Sequence, residues 1–200
     1  ADGVLYDANV RTIIFYPAYL ENETYEMPAT VFELAQSAFT SSKLKNVTIS
    51  DNIKVIPTGC FKDSKNLETV YIPLSITTIG DEAFRNCEKL KAATIPSTCT
   101  YLGDYAFENC KVLVTFDFGS RNTVLECGIS IFNGCISLAD IKNFSGVDRI
   151  TDYMFANTRF TEITLPNTIK SICGEGAFMN CINLKKVTIE DGYTIECDQY

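Results

Sequence analysis

The stretch "IGDEAFRNC", Ile79 to Cys87, nearly recurs 23 residues later as "LGDYAFENC", Leu102 to Cys110. Aligning the chain on the phenylalanine of this pattern brings Phe39, Phe61, Phe84, Phe107, Phe132, Phe155 and Phe178 into one column, spaced 22, 23, 23, 25, 23 and 23 residues apart. Three residues after each Phe stands Ser42, Ser64, Cys87, Cys110, Cys135, Thr158 or Cys181, always a small side chain. Further on lie two apolar columns, Val47, Val70, Ala93, Phe116, Ile141, Ile163 and Val187, then Ile49, Ile72, Ile95, Phe118, Asn143, Leu165 and Ile189. Seven agreeing registers establish an internal repeat. A unit this short cannot bury an apolar face alone, so the units must stack into a solenoid.

Each unit reads as physical pieces. "LETVYIP", Leu67 to Pro73, points Val70 and Ile72 inward and Thr69 and Tyr71 outward, the alternation of a short half-buried strand. Proline after the strand, as at Pro28, Pro73, Pro96 and Pro166, stops the ladder because it lacks a donor. "GDEAFRNC" predicts one or two helical turns, with Gly80 at the bend and Asp81 near the helix start. The column two after Phe holds Asp63, Asn86, Asn109, Asn157 and Asn180, and reads as a structural ladder, because Asn tolerates left-handed backbone and its amide can bond the next coil.

The pattern departs from itself in a few places. "GVLYDANVRTIIFYP" predicts a hairpin turning around Asp7, Ala8 and Asn9 that caps the stack. Two extra residues lengthen the loop "GSRNT" after Phe118, and Asn143 occupies an inward strand position, where a bulge or register shift is expected. One insertion near Cys173 leaves either Ile172 or Cys173 for the inward slot. The last unit, "VTIEDGYTIECDQY", stops partway, and the reading is a piece of a longer protein whose raw edge needs covering.

Composition closes off several chemistries. The 200 residues contain no histidine, which excludes a Ser-His-Asp triad, a Cys-His dyad and His-ligated zinc or haem. A net charge of −8 with scattered Lys and Arg argues against nucleic acid as a partner. No stretch is apolar enough to insert directly in a membrane, and no signal peptide is visible at the first residue, so one is absent or already removed. The nine cysteines form no Cys-x-x-Cys pair. Cys87, Cys110, Cys135 and Cys181 share a column with Ser and Thr, Cys127 replaces an inward Ile and Cys60 an Ala, all readable as buried, inert thiols. A disulfide between neighbouring coils has poor geometry because the Cβ vectors run parallel. Cys197, in the broken last unit, is the thiol expected to be exposed. No metal and no cofactor is expected.

The consensus L-x-x-V-x-I-P-x-x-I-x-x-I-G-x-x-A-F-x-x-C resembles the BspA-like class of leucine-rich repeats, "LETVYIPLSITTIGDEAFRNCEKL" matching almost position for position and "DGVLYD…TIIFYP" resembling the lead-in hairpin of such arrays. The resemblance implies an α/β fold: a right-handed leucine-rich-repeat solenoid with a parallel β-sheet on its concave face, 7–8 repeats of about 23 residues and an N-terminal β-hairpin. Residues 1–20 are expected to form the hairpin cap and residues 21–200 the array. Members of this class are surface or secreted proteins of anaerobic bacteria and mucosal protists, associated with adhesion. The implied function is a non-catalytic protein-binding or adhesion module at a cell surface or secreted, its partner an extracellular-matrix or microbial surface component. The alternative is a cytoplasmic scaffold for protein–protein interaction, which reduced thiols would suit.

The outward strand residues are the one functional surface that the sequence defines. The expected partner-binding set is Thr48, Thr69, Tyr71, Thr94, Thr115, Asp117, Asp140, Lys142, Glu162, Thr164, Lys186 and Thr188, with Tyr71 its anchor. Asp117, Asp140 and Glu162 on neighbouring strands would supply the paired carboxylates of a glycoside hydrolase, a distant third reading set against a solvated face of an acidic protein. No catalytic residue is assigned. Of three Asn-x-Ser/Thr sequons, at Asn22, Asn46 and Asn143, Asn22 in the "YLENETY" loop is the candidate for N-glycosylation.

Overall fold

One coil per unit follows from the burial each unit demands, and a computed structural model shows it, describing residues 3–172, 175–190 and 194–196. About eight turns stack some 23 residues apart. Two strand ladders run along the stack. The longer strands are Thr24–Glu26, Asn46–Thr48, Thr69–Tyr71, Ala92–Thr94, Thr115–Asp117, Asp140–Lys142, Glu162–Leu165 and Lys186–Ile189. The two-residue strands are Glu33–Leu34, Val55–Ile56, Thr78–Ile79, Tyr101–Leu102, Glu126–Cys127, Arg149–Ile150 and Ser171–Ile172. Pairing within both ladders is parallel, for example Val47↔Val70 and Ile79↔Leu102. The α/β expectation is loose: the fold is mostly β, and the only helix among the described residues is a 3-10 turn at Phe144–Gly146.

The segment predicted to be helical is instead a third inter-coil ladder. Glu82, Phe84 and Asn86 donate their N–H groups to Asp104, Ala106 and Glu108 of the next coil, each at 2.8 Å. The residues between them, Ala83, Arg85 and Cys87, close turns back to Gly80, Glu82 and Phe84. An α-helix needs every N–H for its own i−4 carbonyl, so this division forbids one. Left-handed backbone two residues before and after each Phe makes the alternation, as at Glu82 (φ 56°) and Asn86 (φ 61°). At the second of these positions the Asn ladder is present: Asn86 donates to Asp63 (2.7 Å), Asn109 to Asn86 (3.0 Å) and Asn180 to Asn157 (3.1 Å).

The core is a column of rings. Phe39, Phe61, Phe84, Phe107, Phe132 and Phe155 are fully buried, with successive centroids 5.0, 5.2, 4.9, 6.2 and 5.6 Å apart. Tyr16 heads the column, stacked 5.2 Å from Phe39. The hairpin leads into it: Leu5–Tyr6 pairs antiparallel with Thr12–Phe15, which in turn pairs parallel with Glu33–Leu34. At the other end Thr194–Glu196 returns antiparallel along Lys186–Thr188, so a paired strand stands where a raw edge was expected. Coils approach so closely that a Cβ on Gly103 would lie 2.4 Å from the Asp81 backbone nitrogen, which explains glycine there.

The small-residue column has a second requirement beyond size. Ser64 Oγ, Cys87 Sγ, Cys110 Sγ, Cys135 Sγ and Cys181 Sγ each donate to the carbonyl of the Phe in the preceding coil, at 2.8 to 3.3 Å. The seven described cysteines are free and buried. Burial pushes the thiols of Cys60, Cys87 and Cys110 well above the ordinary range, that of Cys99 upward, and that of Cys127 up to about 12. Cys173 and Cys197 lie outside the described residues, while Ile172 beside the first is 44% exposed rather than inward.

Two irregularities resolve where the repeat slips. Asn143 is not inward: it adopts left-handed backbone (φ 54°), stays exposed and donates to Asp117 Oδ1 at 2.7 Å. Phe144 takes the interior place instead, 4.9 Å from the Phe118 ring. The lengthened "GSRNT" loop carries Arg121 inside, only 7% exposed. Its guanidinium donates to the carbonyls of Cys99 (2.7 Å), Pro96 (3.2 Å) and Phe118 (2.9 Å from Nε). Gly146 allows this, since a Cβ there would lie 1.9 Å from Arg121 Cδ. Replacing Arg121 by alanine would orphan the buried carbonyls of Cys99 and Phe118, whereas that of Pro96 keeps the Cys99 N–H at 3.0 Å. At roughly 1–3 kcal/mol for each unsatisfied group, partly relieved by water, a loss of about 3 kcal/mol is expected in urea unfolding. A loss below about 1 kcal/mol would mean that the loop does not depend on this cation.

Candidate functional site

The outward strand residues fall on one face because side chains alternate along each long strand and parallel pairing keeps the register. Thr48 stands opposite Tyr71, Thr94 and Lys142 flank Asp117, Thr115 stands opposite Asp140, Glu162 opposite Lys186 and Thr164 opposite Thr188. Backbone pairing is interrupted between Thr69–Tyr71 and Ala92–Thr94, and again between Asp140–Lys142 and Glu162–Leu165. The face therefore divides into an N-terminal section (Thr48, Thr69, Tyr71, with exposed Glu26 beside Thr48), a central one (Thr94, Thr115, Asp117, Asp140, Lys142) and a terminal one (Glu162, Thr164, Lys186, Thr188). The second interruption coincides with the slip at Asn143.

Not all of these groups are equally available. Tyr71 is 55% exposed, and Leu74, in the turn that follows the same strand, is 71% exposed. Thr69 is tied to Asn46, donating to its Oδ1 at 2.7 Å. Asp117 accepts from the Gly119 N–H (2.8 Å) and from Asn143, so its Oδ1 serves the strand end. Asp140 accepts from Thr115 at 3.4 Å and faces Lys142 at 3.8 Å. The three carboxylates considered for hydrolysis thus line an open face, two of them engaged in local contacts. Among the described residues no group of three His, Cys, Asp or Glu side chains is placed to hold a metal ion.

Of the sequons, Asn22 is exposed and donates to the Tyr16 hydroxyl at 3.3 Å. Asn46 is half-buried, and both ends of the Asn143 amide are bonded, to Asp117 and to Ser120. Two features were missed from sequence. The burial of Arg121 had no signal beyond the loop's extra length. The row four residues after each Phe forms an ion-pair lattice, Lys65 to Glu88 (3.3 Å) and Glu88 to Lys111 (3.0 Å), which alternating charge at a 23-residue spacing would have shown.

The chain matches the BspA type leucine-rich repeat region in six copies, over residues 9–128 and 119–198. No curated protein matches it. Among solved structures it is similar to a leucine-rich repeat protein from Bacteroides ovatus, at 25% identity and a TM-score of 0.65, with 94% of this chain and 62% of that one covered. It is similar also to the pneumococcal vaccine antigen PcpA, at 24% identity and a TM-score of 0.70, covering 95% and 47%. A third is a leucine-rich cell surface protein from Faecalibacterium prausnitzii, at 23% identity and a TM-score of 0.52, covering 94% and 68%. The chain spans less than two thirds of the first two relatives. No helix among the described residues is long and apolar enough to cross a membrane.

Proposed function

The chain belongs to the BspA type leucine-rich repeat family, and we propose that it is a non-catalytic binding module of a surface or secreted protein, gripping a protein partner through its long-strand face. The observation that carries this reading is the outward face itself. A rigid scaffold whose inward positions are fixed by packing leaves its variable side chains in register on one side. On the last strand of its N-terminal section, Tyr71 offers an exposed aromatic anchor, with exposed Leu74 three residues further along the chain. Tyrosine supplies large contact area with little loss of side-chain entropy, the property of a hot spot. An extracellular-matrix protein or a microbial surface component is the partner that we favour. The descriptions of PcpA as a vaccine antigen and of the F. prausnitzii relative as a cell surface protein support the location.

The test is a binding screen against immobilised matrix proteins and bacterial surface components, repeated with Tyr71→Ala and Lys142→Ala. Truncating a hot-spot tyrosine is expected to weaken binding about 30-fold, from a contribution of about 2 kcal/mol, and Lys142→Ala to weaken it less and mainly at low salt. Unchanged affinity for every hit in both variants would dismiss the strand face. The seven free thiols among the described residues support an intracellular scaffold as the second reading; protection from protease on intact cells of the source organism would favour it.

A further inference from the structure

We propose a second docking site, on the edge that leads into the long strands: a notch between Ile136 and Ile182 that receives an acidic, apolar-bearing segment of a partner protein. In most coils two residues separate the small-residue column from the next core residue and form a turn, with Leu113, Leu138 and Leu184 donating to Cys110, Cys135 and Cys181 at 3.1, 2.9 and 2.9 Å. The coil after Phe155 has lost one of the two, running Thr158-Arg159-Phe160. Its turn is gone, and the Arg159 N–H reaches back to the Leu138 carbonyl at 3.0 Å. The turns on either side still protrude, so the deletion leaves a cleft of ≈ 390 Å³.

Its walls are the wrong chemistry for plain solvent. Ile136 is 57% exposed and Ile182 is 80% exposed. Earlier in the same row, Lys65, Glu88 and Lys111 neutralise one another, and the lattice then gives way to Ile136, Arg159 and Ile182. Thr158 and the bonded Asn157–Asn180 pair line the cleft with amide and hydroxyl groups. Arg159 is exposed and, among the described residues, has no ion-pair partner. The comparison inside the molecule is the other shortened coil, Ser42-Lys43-Leu44, where the equivalent cation Lys43 is paired with Glu21. A free guanidinium flanked by two exposed isoleucines calls for a carboxylate beside aliphatic side chains, and Arg is suited to a bidentate grip.

The probe is an acetylated Gly-Leu-Asp-Leu-Asp-Gly peptide, titrated while the methyl resonances of Ile136 and Ile182 are followed by NMR. Both resonances are expected to shift, with the response weakening in high salt. Arg159→Ala should lower the affinity about tenfold, and a Gly-Leu-Lys-Leu-Lys-Gly peptide should leave the methyls unmoved. A serine inserted between Thr158 and Arg159 restores the turn and should abolish the response. Ile182→Ala, at a site too exposed to unfold the chain, should weaken it several-fold if the insertion does not fold. Equal responses to the two peptides, no shift at millimolar peptide, or concentration-dependent shifts without peptide, which would mark a second copy of the chain as occupant, would each overturn the proposal. Because the notch lies off the strand face, Tyr71→Ala should leave this titration unchanged.

Discussion

Replacing Cys87 by serine is expected to become stabilising, relative to the unsubstituted chain, as the pH rises above about 9. The thiol is fully buried and its pKa lies well above the ordinary value, chiefly because burial disfavours the thiolate, with the nearby Asp63 charge adding to it. An unfolded cysteine ionises near pH 8.5. Below that value both states hold the proton and no linkage arises. Above it the unfolded chain releases a proton that the folded chain retains, so unfolding becomes more favourable with each pH unit, by about 1.4 kcal/mol for one such thiol. Cys60, Cys99, Cys110 and Cys127 are shifted in the same direction, so the parent should lose stability steeply in alkali. Serine isolates one member of the set. It already occupies this column as Ser64, where its hydroxyl makes the same bond to a preceding Phe carbonyl, so the exchange preserves the contact. Urea unfolding of both proteins at several pH values is the measurement. The stability difference should be flat from pH 6 to 8 and swing towards serine by about 2–3 kcal/mol by pH 10.5. A difference that stays constant across that range would show that the Cys87 thiol ionises as freely folded as unfolded.

Much of the fold could be read from the chain because its inward positions are chemically narrow. Phe39 to Phe178 must each fill a ring-sized place, and Val, Ile and Leu recur where the strands face inward. The left-handed position after each Phe was also visible, since Asp63, Asn86 and Asn109 are residue types that tolerate it. Its counterpart before the Phe was not. Ser37, Gly59, Glu82, Tyr105 and Ser130 share left-handed backbone without sharing any chemistry. There the inter-coil ladder imposes the conformation, and that cooperative term outweighs each residue's own preference; the same term turned an expected helix into turns. The candidate site was legible only as a list of outward residues. One of the two breaks that divide it falls at Asn143, whose place in a column of Ile, Leu and Phe looked interior. Only the three-dimensional slip to Phe144 shows otherwise. The notch at Arg159 likewise comes from one missing residue, which alignment columns absorb and a stacked structure cannot.

Replacing Phe107 by alanine is expected to cost about 3–5 kcal/mol, the range for a large buried ring whose cavity cannot collapse. Its ring is fully buried, stacked 4.9 Å from Phe84 and 6.2 Å from Phe132, with Phe116 edge-on at 5.0 Å. The longer spacing towards Phe132 marks where Phe116 enters from a column that elsewhere holds Val, Ile or Ala, so three rings lose a partner at once. The backbone on either side is held by ladder bonds and cannot close the void: Phe84 donates to Ala106 at 2.8 Å and Phe107 to Ile131 at 3.0 Å. Domains of this kind have about 5–15 kcal/mol in total, so the variant should stand near its unfolding midpoint at modest urea. In a stack whose units contact only their neighbours, the damage should also spread. Amide exchange is expected to accelerate at Phe84 and Phe132 as well as at Phe107, more than at the distant Phe39. Phe178, half-buried at the end of the column with Phe155 as its stacked neighbour, is the control: Phe178→Ala should cost about 2 kcal/mol or less. Equal losses at the two positions, or exchange changes confined to the coil of Phe107, would mean that the rings fill space independently and do not couple the coils.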